Sequence, residues 1–415
     1  MNAPMQLDSP VRVGQTARYQ WTTGNRVRLL ENGEQYYPAV FKAIREAREE
    51  VLLETFIIFD DGVGRELKEA LIQAARNGAR VAMTVDGYGT AELPRSYIDE
   101  LVAVGVDFRS FDPRPTLLGM RTNAFRRLHR KIVVVDRRLG FVGGINYSDD
   151  HLLDYGDESK QDYAVEVEGP IVDDLRALTI AALKGERMPR TRRWWRRREQ
   201  ERITGGSEGG NALLTWRDND RHQDDIELHY RLAMRQAQRE IIVANAYFFP
   251  GFRLLREFTK AARRGVKVYL ILQGQPDQPI MRWAAQTLYD YLLHSGVVIY
   301  EYCQRPFHGK VAVIDEDWCT VGSSNLDPLS LSLNLEANLL FRDRALTKQL
   351  RSRLQVLMRD SCQRIDRKDV RRRTRPRQAL SWFVFHFLRR FPAWAGWLPM
   401  RKQPTVAIAE TSEAG

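Results

Sequence analysis

Five residue types recur at the same offsets in two places. His129, Lys131, Asp136, Gly143 and Asn146 stand at relative positions 0, 2, 7, 14 and 17, and His308, Lys310, Asp315, Gly322 and Asn325 repeat them 179 residues later. One such set arises by chance in about one chain in ten thousand of ordinary composition. A second copy removes coincidence and requires two similar folding units. The text around each copy agrees. "NRVRLLENGEQYYPAVFKAIREAREEVLLETFIIF" with "LKEALIQAARNGARVAMTVDG" reads as strand, amphipathic helix, apolar strand, amphipathic helix, strand. "NALLTWRDNDRHQDDIELHYRLAMRQAQREIIVANAYFF" with "LREFTKAARRGVKVYLILQG" reads the same way. Gly78 and Gly265 each stand where a helix must stop before a strand. Strands alternating with helices imply an α/β fold, in which each unit is a mixed sheet flanked by helices.

The 415 residues exceed what one core holds, which fits two domains. The expected divisions are an N-terminal segment at 1–24, a first domain at 25–185, a linker at 186–211, a second domain at 212–365 and a tail at 366–415. Lys and Arg exceed Asp and Glu by 64 to 53, a net charge of +11 that points to an anionic partner. Cys303, Cys319 and Cys362 form neither a disulfide framework nor a zinc signature and fit a reducing compartment. The N-terminus has no apolar signal-peptide core, and no run is long enough to span a bilayer. The stretch Leu380 to Met400 is apolar and aromatic, with Trp382, Trp394 and Trp397, and follows "RRRTRPR". That combination suits docking on an anionic lipid surface, or packing on the protein itself. The linker sets Trp194 and Trp195 among arginines, which reads as a solvated charged helix or, better given the adjacent Trp, as a cationic aromatic patch for headgroups or phosphates.

The strand "LHRKIVVVD" places His129 and Lys131 on one face, because side chains alternate. Asp136 is seven residues from His129 and points to the opposite face. Strand geometry therefore argues against a His–Lys–Asp triad within one copy. Asp136 and Asp315 are expected to hold the turn that follows, and to matter for catalysis only indirectly. The glycine turn should aim Asn146 and Asn325 back at the His–Lys face. Two copies meeting across a pseudo-twofold would give two His, two Lys and two Asn. Such a set suits a tetrahedral phosphate: Lys and Asn hold the non-bridging oxygens, and His serves as nucleophile or acid–base. Two lysines stand where a metal would, so neither a metal nor a cofactor is expected.

H-x-K-x₄-D followed by G-G/S-x-N, twice in one chain, resembles the phospholipase D superfamily. "LLENGEQYYP", "VDGYG", "FDPRP", "FVGGINYS" and "QDYAVEVEGP" are similar to bacterial cardiolipin synthases of the short B type, over about Asn25 to Asp343 plus the aromatic tail. The resemblance implies two phospholipase D-like domains with one active site at their interface, and His129, Lys131, Asp136, His308, Lys310 and Asp315 as the motif residues. One histidine would attack phosphorus and the other would protonate the leaving alcohol. By position these are His129 and His308. Each needs a carboxylate on its other nitrogen, and in relatives it lies a few tens of residues downstream on the next strand, where Asp162 and Glu336 fit. The implied reaction is transfer between two molecules of phosphatidylglycerol, an anionic phospholipid. It would take place on a membrane surface, with the enzyme peripheral on the cytoplasmic side of a bacterial inner membrane.

Rival readings are a superfamily hydrolase (phospholipase or nuclease) and a basic nucleic-acid-binding protein. The paired intact motifs argue against the last, and the Trp-rich tail argues against nucleic acid as substrate. "RHQDDIELHY" carries His222, Asp224, Asp225, Glu227 and His229, but the spacing of Asp224 and Glu227 predicts a helix capping box rather than a metal site. Glu54 is a carboxylate in an apolar strand whose counterpart is Ala244, so no symmetric role is expected for it. Arg114 to Arg127 mixes apolar and cationic residues, as a lipid-admitting lip or a plain basic loop would.

Overall fold

The computed structural model describes residues 21–113, 116–117, 120–121, 126–186, 188, 211–274, 285–371 and 405–408. The apolar stretch Leu380 to Met400, the patch at Trp194 and Trp195, and most of Arg114 to Arg127 lie outside them.

The first unit runs β1 (Arg26–Glu31), α1 (Asn32–Arg45), β2 (Glu50–Thr55), α2 (Gly62–Arg76), β3 (Arg80–Asp86), α3 (Arg95–Ala103) and β4 (Asp107–Phe111). A small hairpin of β5 (Thr116–Leu117) and β6 (Met120–Arg121) precedes β7 (Ile132–Val135), β8 (Leu139–Gly143), β9 (Tyr163–Glu168) and α4 (Ile171–Leu183). The second unit runs β10 (Asn211–Arg217), α5 (Asp225–Gln236), β11 (Glu240–Asn245), α6 (Phe252–Arg263), β12 (Lys267–Gln273), α7 (Tyr289–His294) and β13 (Val298–Tyr302). It continues through β14 (Lys310–Ile314), β15 (Trp318–Gly322), α8 (Pro328–Ser332), β16 (Glu336–Arg342), α9 (Arg344–Asp360), β17 (Cys362–Ile365) and α10 (Arg367–Arg371). A last strand, β18 (Thr405–Ala407), closes the described chain.

The two sheets have the same order. It is β1-β9-β8-β7-β2-β3-β4-β18 in one and β10-β16-β15-β14-β11-β12-β13-β17 in the other. Within each, β2–β3–β4 and β11–β12–β13 are parallel and the motif strands run antiparallel to them. Gly78 and Gly265 end α2 and α6 at φ of 92° and 91°, a left-handed position that glycine takes without strain. One face of each sheet packs on its own helices. The other faces join a shared core, in which Leu52, Ile132 and Val134 meet Ile242, Val311 and Val313 together with Leu175 of α4 and Leu354 of α9. The two units therefore form one body around a common apolar interface.

Four sequence expectations change. The tail is not wholly an appendage. α10 packs beside α7, and Thr405–Ala407 pairs antiparallel with β4, satisfying the edge that β17 satisfies in the other sheet. Nor is the N-terminal segment wholly separate, because Thr22 exchanges backbone hydrogen bonds of 2.8 and 2.9 Å with Ala212 of the second unit. The capping box is absent: Asp224 makes no side-chain cap bond and Glu227 lies 3.7 Å from Arg231 instead. His222 pairs with Asp225 at 2.8 Å, one turn along.

Finally, Asp136 does not hold the turn after it. It sits at φ 51° and its carboxylate accepts the N–H groups of Arg48, Glu49 and Glu50 at 2.8–3.2 Å, fixing the turn that enters β2. Asp315, at φ 49°, accepts from Gln238, Arg239 and Glu240 at 2.8–3.0 Å and does the same for β11. Both lie just past the far ends of the motif strands from the histidines, where the left-handed φ ends the side-chain alternation, so it is distance along the strand that keeps them from the site. Asp136→Ala and Asp315→Ala orphan three backbone donors each. Each should cost about 1–3 kcal/mol in denaturant unfolding, while the folded fraction keeps far more turnover than His129→Ala does.

Candidate active site

The residues before each motif strand leave their own sheet and pair with the other unit. The His129 N–H donates to the Leu335 carbonyl at 2.9 Å and the Leu335 N–H donates to Arg127 at 2.8 Å. Symmetrically, the His308 N–H donates to Gln161 at 2.8 Å and the Gln161 N–H donates to Pro306 at 2.9 Å. A side chain at the C-terminal end of β3 or β12 supports each entrance. Asp86 accepts the Leu128 N–H at 2.7 Å and Gln273 accepts the Phe307 N–H at 2.8 Å. Burial raises Asp86 to about 6 against its three backbone donors.

These bridges place Glu336, which follows Leu335, against His129, and Asp162, which follows Gln161, against His308. His129 Nδ1 lies 3.0 Å from the Glu336 carboxylate and His308 Nδ1 lies 2.6 Å from Asp162 Oδ2. Both expected carboxylates are present, but each serves the histidine of the other unit rather than the one upstream in its own. The reason is register. Gly143 opposes Ala164 and Gly322 opposes Asn338, so Asp162 and Glu336 are equivalent positions at the strand ends where the units touch.

Both carboxylates, both lysines and His129 are buried, and His308 is only slightly exposed, at 14% of its side chain. Lys131 donates to the His129 carbonyl at 2.9 Å with Phe56 beneath its ammonium, and Lys310 donates to the carbonyl of His308. Burial, with Lys310 nearby, brings Lys131 down to about 7, against the pull of Glu336. Burial also lowers His129 to about 4, opposed by Glu336 and aided by Lys131, and holds His308 well below the usual imidazole range with Lys310 contributing. Glu336 would rise on burial alone, but His129, Lys131 and Ser323 outweigh this and hold it below the usual carboxylate range. Asp162 stays raised, burial outweighing Lys310 and His151.

With each Nδ1 engaged by a carboxylate, each imidazole has Nε2 left for chemistry. Two such rings with two ammonium groups make a pocket for a phosphate anion. The family described as "Cardiolipin synthase, PLD-like domain" matches residues 40–177 and 230–358, once per unit. "Cardiolipin synthase B" of Shigella flexneri and that of Escherichia coli (strain K12) are each 54% identical over 379 residues, 91% of this chain and 91% of theirs. "Cardiolipin synthase A" of Pseudomonas syringae is 34% identical over 80% of this chain and 68% of its own. The chain belongs to the cardiolipin synthase family of PLD-like proteins. The crystal structure of phosphatidylserine synthase from Haemophilus influenzae Rd KW20 shares the fold, with a TM-score of 0.67 at 13% identity over 91% of this chain and 97% of that one.

Several site features of this family member were not read from its sequence. Ser323 donates to Glu336 at 2.5 Å, whereas its counterpart Gly144 lets Asp162 come so close that a Cβ there would lie 2.4 Å from Oδ1. Arg130, between the motif residues, forms a buried pair with Glu54 at 2.7 Å; the second unit has Gly309 and Ala244 there. Asn146 and Asn325 are buried, and neither Oδ1 has a hydrogen-bond partner within the protein; an anion would be met by the Nδ2 donors of these amides, not by the oxygens. His151, Asp162 and His308 offer donor atoms within 4.8 Å of one another. A cation there would have to compete with the Asp162–His308 bond and face Lys310, which disfavours a metal.

Glu336→Gln and Asp162→Asn keep the shape and remove the charge that orients each ring. Each should lower kcat about 10²–10⁴-fold with the thermal midpoint of a folded protein retained. Release of labelled glycerol from phosphatidylglycerol checks this. A loss under threefold in either variant contradicts the orienting role.

Proposed function

We propose that the chain transfers the phosphatidyl group of one phosphatidylglycerol to a hydroxyl of a second, giving cardiolipin and glycerol through a histidine-bound intermediate. As a phosphatidyltransferase acting on phospholipids, it needs a nucleophile, an acid–base group and anion stabilisation. The observation that carries the reading is the crossed pair of imidazole–carboxylate contacts, each with a buried lysine bonded to the carbonyl of its histidine. His129 Nε2 attacks phosphorus and His308 gives its proton to the departing glycerol oxygen, so the P–O bond breaks as the P–N bond forms. His308 then takes the proton of the incoming hydroxyl, whose oxygen displaces His129 from phosphorus. Both rings are held neutral in the free protein. The arriving phosphodiester anion offsets the lysines and favours the imidazolium that His308 must become. Lys131, Lys310, Asn146 and Asn325 hold the non-bridging oxygens. Burial of both carboxylates, both lysines and His129 limits water at the site, which suits an alcohol acceptor brought in with its lipid.

We place the enzyme peripherally on the cytoplasmic face of a bacterial inner membrane. No helix of the described residues is long and apolar enough to cross a bilayer. The charge of +11 and the Arg- and Trp-rich segments suit an anionic lipid surface.

Purified protein with labelled phosphatidylglycerol in mixed micelles should release glycerol and form cardiolipin in equal amounts. His129→Ala and His308→Ala should each abolish both products. Phosphatidic acid as the main product, or activity surviving in either variant, sinks the reading.

A further inference from the structure

Asn146 is followed by a short 3₁₀ turn, Asp149–His151, that brings a third imidazole to the site. His151 is fully buried. Its Nε2 accepts the Asn146 N–H at 3.3 Å, so the neutral ring carries its proton on Nδ1. That Nδ1 has no hydrogen-bond partner. The ring meets His308 edge-on, with centroids 5.6 Å apart, and one of its nitrogens is within 4.8 Å of donor atoms of Asp162 and His308. A buried donor left unmatched costs stability, and such a group at an active site points to a partner that the substrate brings. Burial holds His151 well below its ordinary pKa, with Lys160 adding to the effect, so the ring stays a neutral donor.

The groups that suit phosphate are duplicated across the pseudo-twofold, but His151 is not. Five residues after Asn325 the second unit has Ser330, whose N–H is bound by Asp327. A ligand group served on one side only should be a part of the substrate that is itself on one side, which the alcohol is and the phosphate is not. We propose that His151 is a specificity-determining residue, whose Nδ1–H binds the free hydroxyl of the glycerol headgroup beside the hydroxyl reacting at His308. The site would thus select a vicinal diol over a simple alcohol. This rests on His308 being the group that handles the alcohol.

The test uses phosphatidylglycerol as donor with labelled glycerol or 1-propanol as acceptor. Two substitutions separate the two nitrogens. In His151→Gln the amide reaches the Nε2 position and can keep the bond to Asn146 while losing the Nδ1 donor. In His151→Asn the amide sits near Nδ1 and keeps the donor. The wild type should prefer glycerol. His151→Gln should lose about tenfold or more of that preference in kcat/KM, with transfer to 1-propanol within about threefold. His151→Asn should keep the preference. An equal fall with both acceptors, an unchanged preference in His151→Gln, or a lost preference in His151→Asn overturns the proposal. Absence of transfer to any alcohol by the wild type overturns the transferase reading, and this proposal with it.

Discussion

Each motif imidazole is paired with a carboxylate from the other half of the molecule. His129 has Glu336 and His308 has Asp162. Neither half therefore contains a finished acid–base group. This constraint explains why the interface is built as it is. The shared apolar core holds the sheets together, and the backbone exchanges at Leu335 and Gln161 fix the register in which the carboxylates arrive. A shift of a strand by one residue would turn Asp162 or Glu336 away from the opposite ring.

The pseudo-twofold is close in backbone and incomplete in chemistry. Glu336 receives a hydroxyl from Ser323 where Asp162 is met by the bare Gly144. Arg130 and Glu54 occupy space that Gly309 and Ala244 leave small. His151 stands where the second half has Ser330. The proposed mechanism gives the two histidines unlike tasks, attack and proton transfer, and the differences between the halves lie around them. Burial depresses both rings, so neither is singled out by its charge state alone. What distinguishes them is the neighbourhood.

Much of this was legible in the sequence because it depends on periodicity and exact repetition. The repeated offsets gave two units, the strand–helix alternation gave the sheets, and the spacing of Asp136 kept it apart from His129 and Lys131, though it lies at the far end of the strand and not on its reverse face. The partners of Asp136 were not legible, because they are backbone groups of another strand 86 to 88 residues away. The crossing of the carboxylates was hidden for the same reason. A residue's place on its own strand can be read from alternation, but not which unit its end will touch. β18 was hidden behind an apolar tail that drew the eye as a lipid anchor. Asp224 and Glu227 had the spacing of a capping box, but Asp225 is taken by His222 and Glu227 lies near Arg231. The signal for His151 is a difference between the copies: five residues beyond the motif asparagine one has a histidine and the other Ser330.

The account stands on the crossed pairing, and nuclear magnetic resonance of the protein labelled with ¹⁵N at histidine reads it directly. An Nδ1–H bound to a buried carboxylate gives a downfield proton signal. Signals of His129 and His308 are assigned by substituting each in turn. Glu336→Gln should shift or remove the His129 signal and leave that of His308 in place, and Asp162→Asn should do the reverse. Loss of the His129 signal in Asp162→Asn, with Glu336→Gln leaving it unmoved, would show that each unit completes its own histidine and would contradict the account.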